Sequence, residues 1–396
     1  MISGSVALIG ASGHGLWHRR LIERTPGLTL CAVSDVRPPE PDPDAPLDGV
    51  AVFTDHTELL ATTTPDAVVI CTPPHTHLPI ARDVLRAGHD LLLEKPPVAS
   101  LQEHASLALE AEQAKRPVQV NFQALGSAAL ARLLAEIEAG SDGSDGSRGS
   151  DGSLGSHGSL GQIEAIGVAG TWWRPPAYWV RSPWSGKRFL DGRPVIDGAL
   201  LNAFAHAVMQ GLAIAAGAGW GDPVDAEVER YRAGHIEVED TGCIRLTFAN
   251  GRRLTVAVTL AAREFRAGDI TVTGTAGTAV LEYPTDRLRL PGAGWEKLPG
   301  REDLLVNLLT HRADPAVPLR AELDRTRAFT AVLEAVIAAP PPVAVDPRFL
   351  VTHDGGGHAI DGVEPAVAAA AAAGAVFAET AFPWTEGGAV HRQRLA

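Results

Sequence analysis

The sequence predicts an α/β doubly wound parallel sheet followed by an α+β domain with a mostly antiparallel open sheet. Three observations carry this. The first 123 residues alternate short apolar runs with helical stretches, the pattern of a parallel sheet covered on both faces. Beyond residue 158 the runs lengthen and are joined by hairpin signals such as Ala249-Asn250-Gly251. A chain of 396 residues exceeds one ordinary core, so two domains are expected.

The elements follow in order. Residues 6–9 read as a first strand, 13–24 as a helix and 28–34 as a second strand. A Pro/Asp-rich loop over 38–48 leads to a short strand at 50–53. Asp55 and Glu58 fit the N-cap and N3 positions of a small helix. Strand 67–71 is followed by helix 77–87, with Gly88 placed to end it. Leu91-Leu92-Leu93 is the apolar run of a buried strand, stopped by Pro96-Pro97. Ser100 and Glu103 form a capping box for helix 101–115, and 118–122 is the next strand. The second domain reads as strands at 162–173, 224–232, 236–248, 252–261, 269–274 and 278–283, with helices at 198–216 and 319–338. A tail carries one more helix, at 363–374, and Trp384. The domains are therefore placed at 1–123 and 124–350, with a C-terminal extension over 351–396. Residues 141–158 repeat Gly, Ser and Asp and offer little to bury, so they read as a disordered surface insertion.

Composition narrows the function. The formal charge of −13 and the lack of a basic cluster argue against nucleic acid and anionic membranes. Cys31, Cys71 and Cys243 make no CxxC, which suits a reducing, cytoplasmic setting and excludes a cysteine-built zinc site. The N-terminal stretch reads as a strand rather than a signal peptide, and no apolar run reaches membrane-spanning length. No metal is expected. His75 and His77 lack a nearby carboxylate or third ligand, and His353 and His358 flank three glycines, which suggests a mobile loop.

The first strand runs into Gly10-Ala-Ser12-Gly13-His14-Gly15. A glycine-rich strand-to-helix turn frees backbone N–H groups to meet a pyrophosphate at a helix N-terminus. Gly10 and Gly15 match the first and third glycines of the G-x-G-x-x-G fingerprint, and Ser12 stands at the second. The second strand ends at Asp35, about twenty residues on, where an acid accepts from a ribose hydroxyl and favours NAD. Arg37 lies close enough to keep NADP open. Only Lys95, Lys115, Lys187 and Lys297 are lysines, and Glu94-Lys95 falls at the carboxyl end of a strand, where open α/β sheets bind ligands.

GASGHG (10–15), CTPPHTH (71–77) and LLLEKP (91–96), in this order and spacing, resemble the Gfo/Idh/MocA oxidoreductases, relatives of glucose–fructose oxidoreductase and inositol dehydrogenase. The resemblance extends over most of 5–340 and implies a Rossmann domain paired with a sheet domain whose open face often forms the oligomer interface. It implies a homodimer or homotetramer. Thr72, Pro73 and His77 would line the nicotinamide side of the groove, Glu94 and Lys95 would lie beneath the nicotinamide ribose, and Gln123 would complete the cofactor set. The Lys95–Pro96 bond is often cis in the family.

The family's second motif is Asp or Asn followed four residues later by His, here Asn202 and His206. On one helix that spacing puts both side chains on one face. Histidine titrates near neutrality, so His206 is the proton shuttle, with Lys95 stabilising or deprotonating the alcohol and Asn202 orienting it. Four of the eight tryptophans cluster at 172–184. Tyr178, Trp184 and Lys187 are the substrate contacts this suggests, although Trp172 and Trp173 cannot both face inward. Trp384 is read as a residue closing the cleft of its own or a neighbouring subunit. The resulting function is NAD(P)-dependent hydride transfer with a secondary alcohol of a sugar, polyol or cyclitol. An NAD-retaining glycosidase and a non-catalytic sugar or nucleotide sensor are the alternatives.

Overall fold

The computed structural model describes residues 2–141 and 160–395; the low-complexity insertion, apart from Ser141, lies outside the described residues. The chain forms two compact units, Met1–Gly126 with Glu302–Thr330, and Ser127–Arg301 with Ala331–Ala396.

The first unit opens with β1 (Gly4–Ile9), α1 (His14–Arg24), β2 (Leu28–Ser34), β3 (Ala51–Phe53), α2 (His56–Thr62), β4 (Ala67–Ile70), α3 (His77–Arg86), β5 (Asp90–Leu93), α4 (Leu101–Ala114) and β6 (Val118–Val120). Its six strands are parallel in the order β3-β2-β1-β4-β5-β6. The order reverses between β1 and β4, the switch point at which open sheets bind ligands. β4 and β5 are buried throughout, as continuous apolar strands require. The expected caps form: Asp55 accepts from the Thr57 N–H, Ser100 from the Glu103 N–H, and Glu103 from the Ala99 N–H.

The second unit begins with α5 (Ala128–Ser141), followed by β7 (Ile163–Trp173), the small hairpin β8 (Phe189–Leu190) and β9 (Arg193–Pro194), and α6 (Ala205–Gly217). Then come β10 (Pro223–Arg232), β11 (Thr241–Phe248), β12 (Arg253–Thr259), β13 (Ala261–Gly274), β14 (Thr278–Glu282), β15 (Arg287–Arg289) and β16 (Glu296–Lys297). α7 (Leu304–Ala313) belongs to the first unit, and the unit boundary falls within α8 (Arg327–Ala338). The chain ends with β17 (Val343–Ala344), the hairpin β18 (Leu350–Thr352) and β19 (His358–Ile360), α9 (Val363–Ala373) and β20 (His391–Arg394). The large sheet runs β16-β15-β14-β13-β7-β12-β11-β10-β17, with β20 also on β10. Most pairs are antiparallel; β12 with β7 and β10 with β17 are parallel.

Three placements differ from the sequence expectation. Residues 302–330 return to the first unit: the Gln119 amide donates to the Leu304 carbonyl, Val120 N–H to Ala321 O, and His104 bonds the Leu323 carbonyl. These are pairings between segments about 200 residues apart, beyond the reach of local pattern. The residues after 351 are a covering layer of the second unit rather than an extension. α9 lies on one face of the sheet while α6 lies on the other, and β7 shows both. A Cβ on Gly167 would meet Ala371 O at 2.4 Å, and one on Gly170 would meet the Phe204 ring at 2.2 Å. Side chains an odd number of residues apart point to opposite faces, so Gly167 marks the close approach of α9 and Gly170 that of Phe204, the residue leading into α6. The face expected to lie open for a partner is thus covered by this chain. Trp384 is 2% exposed, edge-on to Tyr231 and Phe377 in that layer, so it fills a core and closes no cleft. The His353–His358 segment forms the turn of the β18–β19 hairpin, with His353 stacked on Trp173 at 3.9 Å.

Candidate functional site

In the first unit the glycine-rich turn is built by exclusion of side chains. A Cβ on Gly10 would fall 2.3 Å from Cys71 O, and one on Gly15 would fall 1.9 Å from Gly10 O. Glycine at these two positions lets β1, β4 and α1 close up. Gly13 faces open space, and no side chain caps α1 among the described residues. The helix N-terminus therefore keeps donors for a phosphate, which fits a dinucleotide. Ser12 occupies the second fingerprint position without strain, and His14 stands exposed beside it. Asp35 has a job the sequence did not disclose. Its Oδ2 accepts from the Ala11 and Ser12 N–H groups at 2.9 Å each, and its Oδ1 from the Arg37 N–H at 3.2 Å. The acid braces the turn as well as ending β2; Arg37 is exposed next to it.

At the end of β5 the buried Glu94 is a hub. Its Oε1 accepts from His18 Nε2 at 2.8 Å and Asn121 Nδ2 at 2.6 Å, with His14 Nε2 at 3.4 Å. Its Oε2 accepts from the Lys95 N–H at 3.0 Å. Burial alone would raise its pKa, but the hydrogen bonds from His14 and His18 prevail and hold it well below the usual carboxylate range. His14 rises above its ordinary value, chiefly through its bond to Glu94. The Lys95–Pro96 peptide is cis. Among the described residues, His14, His18 and Glu94 are the set of metal-capable groups that converges, with donor atoms within 4.8 Å of one another. The one signal in the sequence was the i, i+4 spacing of the two histidines at the start of α1.

Thr72 is partly buried, its hydroxyl accepting from Thr76 Oγ1 at 2.7 Å, and Pro73 is exposed. His77 does not line a groove. It is fully buried, with Nε2 2.8 Å from Thr72 O and Nδ1 3.0 Å from Pro96 O. Burial lowers its pKa, so a neutral ring ties the β4 turn to the segment after Lys95. Gln123 is partly buried at the start of a short 3₁₀ turn.

In the second unit Asn202 and His206 do not share one continuous helix. Ala199–Ala203 is a π-helical turn and α6 starts at Ala205, with Phe204 between them out of helical geometry. Glu239, buried, accepts from the Leu200 N–H at 3.2 Å and pins the turn from outside. His206 is partly exposed in an α6 whose residues Ala205 and Ala207 to Ala215 are buried. Asn202 is partly exposed too, and its amide donates to Asp197 Oδ1 at 2.9 Å.

Asp197 was missed in the sequence. It is 3% exposed and also accepts from Arg181 Nη2 at 3.2 Å and the Gly186 N–H at 2.9 Å. The Arg181 guanidinium lies 3.9 Å from the Tyr178 ring centroid and 4.7 Å from that of Trp184. One face of each proposed sugar platform is therefore taken by a cation. Lys187 is exposed at the end of the Trp184 turn. Trp172 and Trp173 take opposite faces of β7, Trp172 on Phe204 at 4.1 Å and Trp173 on His353.

A switch-point sheet with a glycine-rich turn and a lysine at the end of β5 defines a nucleotide-dependent oxidoreductase class. The chain belongs to the Gfo/Idh/MocA oxidoreductase family. Residues 5–122 match its NAD-binding Rossmann fold and residues 153–280 its C-terminal domain. It is similar to inositol 2-dehydrogenase of Rubrobacter xylanophilus, 33% identical over 121 residues, which is 30% of this chain and 35% of that protein. It is also similar to galactose 1-dehydrogenase of Pseudomonas fluorescens, 37% identical over 101 residues, 25% of this chain and 31% of that protein. The matches thus span about a third of these curated relatives. Among solved structures, the WlbA dehydrogenase of Bordetella pertussis, in complex with NADH and UDP-GlcNAcA, superposes with a TM-score of 0.64. It is 22% identical, over 84% of this chain and 94% of that one, and shares the fold. No helix among the described residues is long and apolar enough to cross a membrane.

Proposed function

We propose that the protein is an NAD(P)-dependent dehydrogenase that transfers hydride between the nicotinamide and a secondary alcohol of a sugar, polyol or cyclitol. The observation that carries this reading is Lys95. A chain with four lysines sets one directly after β5, with its backbone held by a buried, ionised Glu94. The bound dinucleotide supplies the hydride acceptor. Gly10, Ser12, Gly13, His14 and Gly15 hold its phosphates at the α1 N-terminus, and Asp35 sets the turn and meets the ribose. The acid at the end of β2 favours NAD; Arg37 beside it leaves NADP as the other candidate.

The Lys95 ammonium lowers the energy of the developing alkoxide. His206 takes the hydroxyl proton, imidazole being the side chain that exchanges protons near neutrality. Asn202 cannot act as a base. Tied to Asp197 through its amide, it offers its carbonyl to a substrate hydroxyl and orients it. The names of the curated relatives, inositol and galactose dehydrogenases, support a carbohydrate or polyol substrate.

The test is a search for NAD or NADP in the purified protein by mass spectrometry, followed by a panel of sugars and polyols monitored by absorbance of the reduced nicotinamide. A dehydrogenase gives stoichiometric reduced cofactor, and Lys95→Ala or His206→Ala lowers kcat by roughly 10²- to 10⁴-fold with the fold intact. Product release from a glycoside without net reduced cofactor would replace this reading with the transient-oxidation glycosidase. Full turnover in Lys95→Ala would remove the mechanism.

A further inference from the structure

We infer that the substrate carries a negative charge, as a sugar acid or phosphorylated sugar rather than a neutral polyol, and that Arg174 is the residue that pairs with it. This deepens the function above and rests on the dehydrogenase reading together with the sequence expectation that Tyr178 and Trp184 contact the substrate.

The argument is one of charge balance within the second unit. Two guanidiniums flank Tyr178: Arg181 at 3.9 Å and Arg174 at 5.4 Å from its ring centroid. The carboxylate in the cluster, Asp197, is buried and already engaged by Arg181, Asn202 and the Gly186 N–H. Arg174 has no carboxylate partner among the described residues. Its side chain is held over Trp172, 4.9 Å from the ring centroid; its Nη1 reaches the Trp173 carbonyl at 3.4 Å, and its other polar partner is the neutral Tyr178 hydroxyl. The cluster therefore carries one positive charge more than it balances.

Aromatic faces hold an arginine by its flat side and leave its N–H edge available. That edge matches a carboxylate or phosphate bidentately. A half-buried cation facing a neutral ligand would be desolvated without compensation, whereas an anion repays the loss. The placement is not remote from the proposed chemistry. Trp172 packs at a tilt on Phe204, two residues before His206, and Asp197 joins Arg181 to Asn202.

The experiment measures binding of glucuronate, glucose 1-phosphate and glucose, and of their galacto counterparts, to the full-length protein with and without saturating NADH. An acid of at least one series binds about tenfold or more tighter than the matching neutral sugar at low salt. The preference shrinks as NaCl rises, because exposed charge is screened. Arg174→Gln abolishes it, and Arg174→Lys, which keeps charge but loses the fork, retains part. The two anionic arms tell carboxylate from phosphate. Neutral sugars binding as well as acids, no binding in any arm, or an anion preference that survives in Arg174→Gln overturns the inference. NADH binding without anion preference sinks this inference alone, whereas absence of NADH binding sinks the dehydrogenase reading.

Discussion

Glu94 and His14 couple the end of β5 to pH. A histidine whose folded pKa is raised contributes stability that is complete below its unfolded value of 6.5 and is lost as pH rises through the folded value. Glu94 is depressed, so its contribution is present above 4.5 and is lost as pH falls through the folded value. The pair therefore contributes most between those two pH values. His14→Ala should lower Tm more at pH 5.5 than at pH 8, and a thermal melt series of both proteins reads the difference. An equal loss at both pH values would show that the imidazole acts by packing alone. Sequence disclosed Glu94, Lys95 and the glycine turn because each belongs to a contiguous motif. It did not disclose His18 or Asn121, which reach Glu94 from 76 and 27 residues away. His77 was misassigned because burial, which a motif cannot report, turns a groove residue into a brace.

At the scale of elements, β7 carries the most information. Its glycines are contact points for elements from opposite ends of the second unit, Gly170 for Phe204 and Gly167 for α9. Gly167→Ala should push α9 off the sheet. Overpacking of this kind costs about 1–3 kcal/mol. The expected readout is a lower Tm together with faster proteolysis within 345–395; unchanged protection would mean that α9 shifts without loss. The helix predicted over 198–216 exists in two parts because Phe204 packs under β7 and Glu239 holds the turn before it. Helical spacing alone gave the residues of the Asn202–His206 motif but not the break between them. α7 was missed although its signal is local: Asp303 accepts from the Leu305 and Val306 N–H groups, and Leu304, Leu305, Leu308 and Leu309 recur at helical spacing.

For the whole molecule, the described residues beyond 346 pack on the second unit. Arg245 forms a bidentate pair with Glu379, Glu229 accepts from the Ala378 N–H, and Tyr231 donates to Thr385 O. Trp384→Ala should destabilise by about 3–5 kcal/mol, as loss of a large buried ring does. Chemical denaturation measures it; a change under about 1 kcal/mol would mean the ring is not part of the core. Deletion beyond Val345 should bare the apolar face around Ala169, Cys243 and Ala257, and light scattering should detect association beyond that of the full chain. The sequence by itself determined the alternation of elements, the nucleotide turn and the family motifs, because these follow from periodicity and turn chemistry among near neighbours. Tertiary structure alone decided that 302–330 rejoins the first unit, that the tail covers the sheet, and that Asp197 takes up Arg181 but not Arg174. Those outcomes depend on which distant surfaces exclude water together, and no local pattern encodes that choice.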